Sequence, residues 1–497
     1  MNTWLAFVLC LSLVLAACSA PVQTQTPLPN AFNTPWADRS IFKSGLVQSQ
    51  QSILDGLPGA SVYHIELKLA DDLFHVQGHE EVQYTNNETV PLKEVEFRLF
   101  PNILGGRMEV SQLVVDGQSV TPKLQLDDSL MIVALPAPLD PGKSIVIGMD
   151  FEVNVPQSVD LNYGVLADYQ DVLALAHAYP MIAVYDDEGW NAEIPPQYGD
   201  VTYADAAFFL VKITAPQAVT VVTTGTVIDR AQGDEQQTLI VAEGPARDFY
   251  LAASPLYVEA SKTIGEITIN SYTQKGFEKG SQEALDTAAQ AIQVFGRRYA
   301  PYPYTEFDIV ATPNQALGIE YPGMVAIADR IYDVDETLAG TPVRVYLEST
   351  VAHETGHQWF YNLVGNDQLD DPWLDESLTQ FATLQYYEDQ DGEQAAVGFE
   401  QSLKGRWGRV NFEKIPIGLP VAKYSGQEYS SIVYGRGPLF FVALRDQMGE
   451  PAFDAFLLDY TQKMSWNIAT PEFLQSLAEQ HCTCDLDALF QEWVYPY

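Results

Sequence analysis

From Ser61 onward apolar and polar residues trade places through SVYHIELKLA, HVQGHEEVQYTN, KEVEFRLFPN and SIVIGMDFEVNV, each stretch bounded by turn residues. A period of two sends successive side chains to opposite faces of a sheet, so each stretch predicts a half-buried strand. The alternation continues through AAFFLVKITAP, VTVVTTGTVID and DFYLAASPLYVEA and ends near residue 260. Beyond that point the period lengthens. SQEALDTAAQAIQVFGRRYA (281–300) reads as an amphipathic helix stopped by Pro301 and Pro303, a short strand FDIVATP follows, and helical patterns run over 343–363, 376–389, 437–448 and 471–493. The expected fold is therefore multidomain, with a β-rich amino-terminal domain over 56–260 and an α+β, mostly helical domain over 261–497. A chain of 497 residues is long enough to bury two cores.

The amino terminus breaks both patterns. MNTWLAFVLCLSLVLAACSA holds an apolar run from Trp4 to Ala17, too short to span a bilayer and followed by small residues and Cys18. Small residues before a cysteine are what a bacterial lipoprotein signal requires, although this one lacks Lys or Arg at its start. The expectation is a signal peptide over 1–17, a lipidated Cys18, and a Pro-, Thr- and Gln-rich tether over 18–55. Such a tether reaches on the order of 30 Å and would hold a domain clear of a membrane surface.

Composition narrows the partners. Lys plus Arg number 26 against 66 Asp plus Glu, a formal charge of −40. That charge repels phosphate backbones, so nucleic acid is not an expected partner. Loss of Cys10 with the signal and lipidation of Cys18 would leave only Cys482 and Cys484. A single residue between them is expected to place them too close for an unstrained bridge.

The chemistry gathers in RVYLESTVAHETGHQWFYNLVG. His353 and His357 stand at i and i+4, so on a helix both imidazoles share a face and can hold one cation. Glu354 is one residue round, placed to hold a water that the cation polarises. Taken alone, the pattern also fits a solvated helix face. A catalytic zinc needs a third protein ligand and an open position, and Glu376, in DDPWLDESLTQFATLQYYE, is the candidate. Asp375, Asp370 and Asp371 are read as supporting or capping groups.

His353-Glu354-x-x-His357, eighteen intervening residues and Glu376 in a Trp-Leu-x-Glu setting resemble the aminopeptidase N family of zinc metallopeptidases, in its short bacterial form. YHIELKLADDLFHVQGHEEVQYTN with FRLFPN is similar to the start of that family's saddle-like β domain. AIQVFGRRYAPYPYTEFDIV and FLQSLAEQHCTCDLDALFQEWVY are similar to the opening and end of its thermolysin-like catalytic domain. The resemblance spans residues about 60 to 497 and does not extend to the large helical carboxy-terminal domain of many members.

The resemblance implies one zinc per chain, held by His353, His357 and Glu376, with Glu354 as general base. QALGIEYPGMV matches the family's Gly-x-Met-Glu-Asn segment in part, with Leu317, Ile319 and Tyr321 as departures. It implies that Glu320 grips a substrate's free amine and that the backbone from Gly318 pairs with the peptide. EYSSIVYGRGPLFF offers Tyr434 as the oxyanion donor, with Arg436 where the family carries lysine. AYPMIAVYDDEGWNAEIPPQYGD (178–200) also resembles bacterial members and is read as domain-interface packing.

The expected activity is zinc-dependent removal of amino-terminal residues from peptides with free amino termini, by a protein anchored outside the cytoplasm of a bacterium. Two alternatives stay open: a zinc endopeptidase or oligopeptidase on the same scaffold, and a catalytically silent, zinc-bound peptide-binding lipoprotein.

Overall fold

The computed structural model describes residues 31–199 and 201–496. The expected signal segment 1–17, Cys18 and the first part of the tether lie outside the described residues. The described remainder of the tether lies on the body instead. Residues 31–55 form short 3-10 turns, and Phe42, Leu46 and Leu54 are buried in the core of the helical half. Backbone bonds from Val47 N to Pro303 O and from Thr305 N to Gly45 O fix the path. These apolar residues are spaced too irregularly to show a period, which is why the stretch reads as linker.

The alternating stretches form strands. Val62–Leu69, His75–Thr85, Ser144–Asn154 and Ala207–Pro216 are central in an eight-stranded sheet, whose one parallel pairing joins Val62–Leu69 to Ala207–Pro216. Two four-stranded sheets complete the β half, one around Leu92–Arg98 and one around Tyr250–Ser254. Inward residues such as Ile65, Val82, Ile147 and Val211 are wholly buried, as a half-buried strand requires.

Tyr257–Ile264 opens a five-stranded sheet, in the order Tyr257–Ile264, Ile267–Gln274, Glu306–Thr312, Met324–Ala328, Gly318–Tyr321. Gly318–Tyr321 is its edge strand, antiparallel to Met324–Ala328. The helix Glu278–Arg298 buries Ala284, Leu285, Ala288, Ile292 and Phe295, and packs beside the helix Val343–Gly356. The pattern read as one helix over 343–363 stops at Gly356. The pattern over 471–493 divides into Pro471–Cys482 and Asp487–Trp493. Helices Glu393–Trp407 and Glu450–Met464 add to those expected.

Cys482 and Cys484 are disulfide-bonded, which corrects the expectation from their spacing. Thr483 between them takes a left-handed backbone, φ 51°, and the two Cα atoms stand 5.1 Å apart, within the usual range for a bridge. A small third core joins the halves: Val172, Ala174 and Tyr250 pack on Val310, Tyr321 and Met324. The Tyr250 and Tyr321 rings stack at 3.8 Å.

Candidate active site

The helix Val343–Gly356 brings His353 into its last turn, and His357 follows at its end with helical φ and ψ of −63° and −13°. Pro372–Leu374 makes a tight turn, after which the helix Glu376–Gln390 begins and carries Glu376 back to the two imidazoles. His353 Nε2 and His357 Nε2 are 3.2 Å apart. Glu376 Oε2 is 3.2 Å from the first and 3.4 Å from the second. All three side chains are buried.

That triangle fits zinc. Ligands held at 2.0 to 2.1 Å from a tetrahedral ion are separated by about 3.3 Å. Two imidazole nitrogens and a carboxylate oxygen are also the donor set such an ion takes. The second nitrogen of His357 is anchored as well: Nδ1 is 3.0 Å from Asp375 Oδ1 and 3.0 Å from the Phe360 carbonyl. Support of this kind fixes which ring nitrogen faces the ion. Asp375 thus stands against the ring nitrogen of His357 that faces away from the triangle.

Glu354 sits beside the triangle, and His353, Glu354 and His357 each offer an atom within 4.8 Å of the others. Its carboxylate lies flat against the edge strand. A Cβ at Gly318 would stand 2.4 Å from Glu354 Oε1, so a glycine is what lets the acid reach its place. Burial raises the Glu354 pKa well above the ordinary carboxylate range, and the neighbouring acids Glu320, Glu376 and Asp375 add to the rise. Burial brings His353 down to about 4. For His357 burial acts the same way, but Glu320, Glu376 and Asp375 outweigh it and raise the imidazole well above its usual value. Glu376 is the counterpart: burial works against its charge, and the two histidines hold it well below the carboxylate range.

Glu320, on the edge strand, is buried and lies 3.5 Å from Gln368 Nε2, which in turn donates to Asp375 Oδ2 at 2.7 Å. Glu320, His357 and Asp375 each offer an atom within 4.8 Å of the others. Tyr434 rides on a π-helical turn, Ile432–Arg436, and its hydroxyl donates to Glu376 Oε1. Single π turns inside helices recur at functional sites because the extra residue re-aims a side chain. Tyr429 packs edge-on against the Tyr434 ring at 5.6 Å, and Arg436 caps the carbonyls of Ile415, Glu492 and Trp493.

These groups open into one cavity of about 600 Å³ whose wall is shared by both halves. The β half contributes His177, Asp248 and the segment around Pro195 and Tyr198, and the helical half adds Gln368 and Arg406. Tyr198 donates to the Tyr424 carbonyl at 2.5 Å, which is the interface packing expected of that segment. Trp190 packs instead within the β half, against Tyr84 and Tyr185. Asp248, Gln368, Tyr361 and Arg406 escaped the sequence reading because each joins the cavity from a different element, with no local motif.

Known proteins resemble this chain in sequence and in fold. Residues 283–493 match the peptidase family M1 domain. Aminopeptidase M1-B of Oryza sativa subsp. japonica is 26% identical over 297 residues, covering 58% of this chain and 34% of that protein. Aminopeptidase M1 of Arabidopsis thaliana is 26% identical over 302 residues, covering 58% of this chain and 34% of that protein. The match thus spans about a third of the length of these relatives. Among solved structures, an M1 zinc metallopeptidase from Deinococcus radiodurans superposes with a TM-score of 0.68 at 19% identity, over 88% of this chain and 94% of that one. A mutant of that protein bound to a Tyr-Ser-Ala substrate superposes with a TM-score of 0.65 at 19% identity, over 88% of this chain and 96% of that one. Residues 283–493 thus match a peptidase M1 domain, and the chain around it is similar in fold to a two-domain M1 metallopeptidase.

Proposed function

We propose that the protein is a zinc aminopeptidase that removes single residues from peptides with a free amino terminus. The observation that carries this reading is the His353, His357 and Glu376 triangle beside Glu354 in a cavity that also holds Glu320. One zinc per chain, held by those three residues, would supply Lewis acidity, making a water acidic near neutral pH and polarising a carbonyl.

The chain's own groups do the rest. Glu354 accepts the proton of the attacking water and returns it to the leaving amine. Its raised affinity for protons suits it to that exchange. Tyr434, freed from Glu376 when substrate enters, donates to the oxyanion. Glu320 pairs with the terminal ammonium, and the edge strand from Gly318 adds the peptide as a further strand, so cleavage falls after the first residue. Lipidation at Cys18 would anchor the protein outside the cytoplasm of a bacterium. The mass of the mature amino terminus tests that, since an unmodified residue 18 would end the lipoprotein reading.

The activity is tested by following matched peptides with free and acetylated amino termini by mass spectrometry, with Glu354→Gln in parallel. Stepwise loss of single residues from the free peptide is expected, slowed about 100-fold to 10,000-fold in Glu354→Gln. Blocking the amine should slow cleavage by about 10-fold to 150-fold, because the Glu320 contact is lost. Equal internal cleavage of both peptides would make the protein an endopeptidase. No cleavage of either would leave a peptide-binding lipoprotein.

A further inference from the structure

The cavity wall is strongly acidic: Asp127, Asp248, Glu320, Glu354 and Glu376 all face it. Arg406 is the only arginine or lysine among the described residues that line it. It sits in the last turn of the helix Glu393–Trp407, with its guanidinium carbon 5.6 Å from the centre of the Tyr434 ring. No carboxylate among the described residues lies within ion-pair distance of Arg406. Other half-buried arginines of the same half are paired: Arg445 with Glu388 at 2.9 Å and Arg298 with Asp389 at 2.6 Å. A cation withdrawn from water without a carboxylate is costly unless something else supplies the anion.

We propose that Arg406 receives a carboxylate of the substrate downstream of the scissile bond, either the terminal α-carboxylate of a short peptide or an acidic side chain. This rests on the aminopeptidase reading of the same cavity. Glu320 approaches the metal triangle through His357 and Asp375, whereas Arg406 approaches it through Tyr434 and Glu376. A peptide with its ammonium at Glu320 and its carbonyl at the triangle therefore sends its far end toward the Arg406 side. In a chain of net charge −40, with five acids on the cavity wall, this guanidinium is the one Lys or Arg charge on the described wall that an anionic end can meet. Arginine's planar fork also matches a carboxylate with two parallel hydrogen bonds.

The test is calorimetric binding of Ala-Ala-Ala, its carboxy-terminal amide and the amide of Ala-Asp-Ala to the zinc-loaded Glu354→Gln chain, with and without Arg406→Gln. Ala-Ala-Ala should bind about 10-fold to 100-fold more tightly than its amide, and Arg406→Gln should remove that gap while leaving the amide's affinity nearly unchanged. Arg406→Lys should restore part of it. If the gap appears only with Ala-Asp-Ala amide, the carboxylate comes from a side chain. Equal binding of all three peptides, no binding of any, or a uniform loss in Arg406→Gln would overturn the proposal. Uniform loss would leave Arg406 as a support for the Tyr434 ring. Turnover by the unmutated chain separates the two readings: acid-over-amide selectivity without any cleavage would keep the carboxylate site and reject the aminopeptidase.

Discussion

Glu80, on the inner face of the eight-stranded sheet, and Glu376, on the floor of the cavity, are both withdrawn from water, with 0% and 4% of their surfaces exposed. Their surroundings differ. Neither oxygen of Glu80 has a hydrogen-bond partner among the described residues, and burial drives its pKa well above the carboxylate range. Glu376 meets two imidazoles and the Tyr434 hydroxyl, and is held well below that range. Burial alone therefore does not mark a site. What distinguishes the cavity floor is convergence, with several groups from separate elements aimed at one point.

The most severe test of that convergence is Tyr434→Phe. If the phenol donates to the oxyanion, kcat should fall about 100-fold to 1000-fold with KM little changed. Steady-state kinetics on a free-amine peptide decide it, and activity within about 3-fold of the unmutated chain would move the donor elsewhere. A smaller effect is expected from Asp375→Asn, which removes the carboxylate beside His357 Nδ1 and leaves the three ligands in place. Zinc affinity should weaken about 10-fold to 100-fold in competition with a chromogenic chelator. An unchanged affinity would mean that the Phe360 carbonyl alone orients the ring.

Much of the convergence is legible in the chain. His353 and His357 share a face because four residues make one helical turn, and the alternation around Ile65, Val82 and Ile147 maps directly onto buried strand positions. Glu376 is legible as a candidate third ligand, and the family's spacing strengthens it, since a loop and a tight turn return it to the histidines. Arg406 is not legible. Its helix, Glu393–Trp407, buries only Ala396 and Leu403, so no apolar stripe announces it, and the cavity it lines is assembled from distant segments. Gly318 gains its physical meaning only once Glu354 is seen pressed against it. The Cys482 to Cys484 bridge escaped because spacing does not reveal the left-handed turn at Thr483.

The smallest effect on activity is expected at Glu80, where the comparison predicts a change in stability without a change in activity. Parity along HVQGHEEVQYT puts Glu80 on the inner face with Val76, Val82 and Tyr84, a charge-bearing group where an apolar one belongs. A carboxyl whose pKa is raised by folding stabilises the native chain fully below its unfolded pKa, near 4.3, and that contribution is lost as pH rises toward the folded pKa. Glutamine at this position keeps the shape but does not titrate. Relative to the unmutated chain, Glu80→Gln should therefore gain stability as pH rises from 5 to 8, by up to about 1.4 kcal/mol per pH unit while the folded glutamate keeps its proton. Urea unfolding midpoints for the two chains at pH 5 and pH 8, with kcat/KM at each pH, measure both halves of the claim. Parallel pH profiles would show that Glu80 reaches a partner or water in the folded protein, and a change in kcat/KM would tie the inner face of the sheet to the cavity after all.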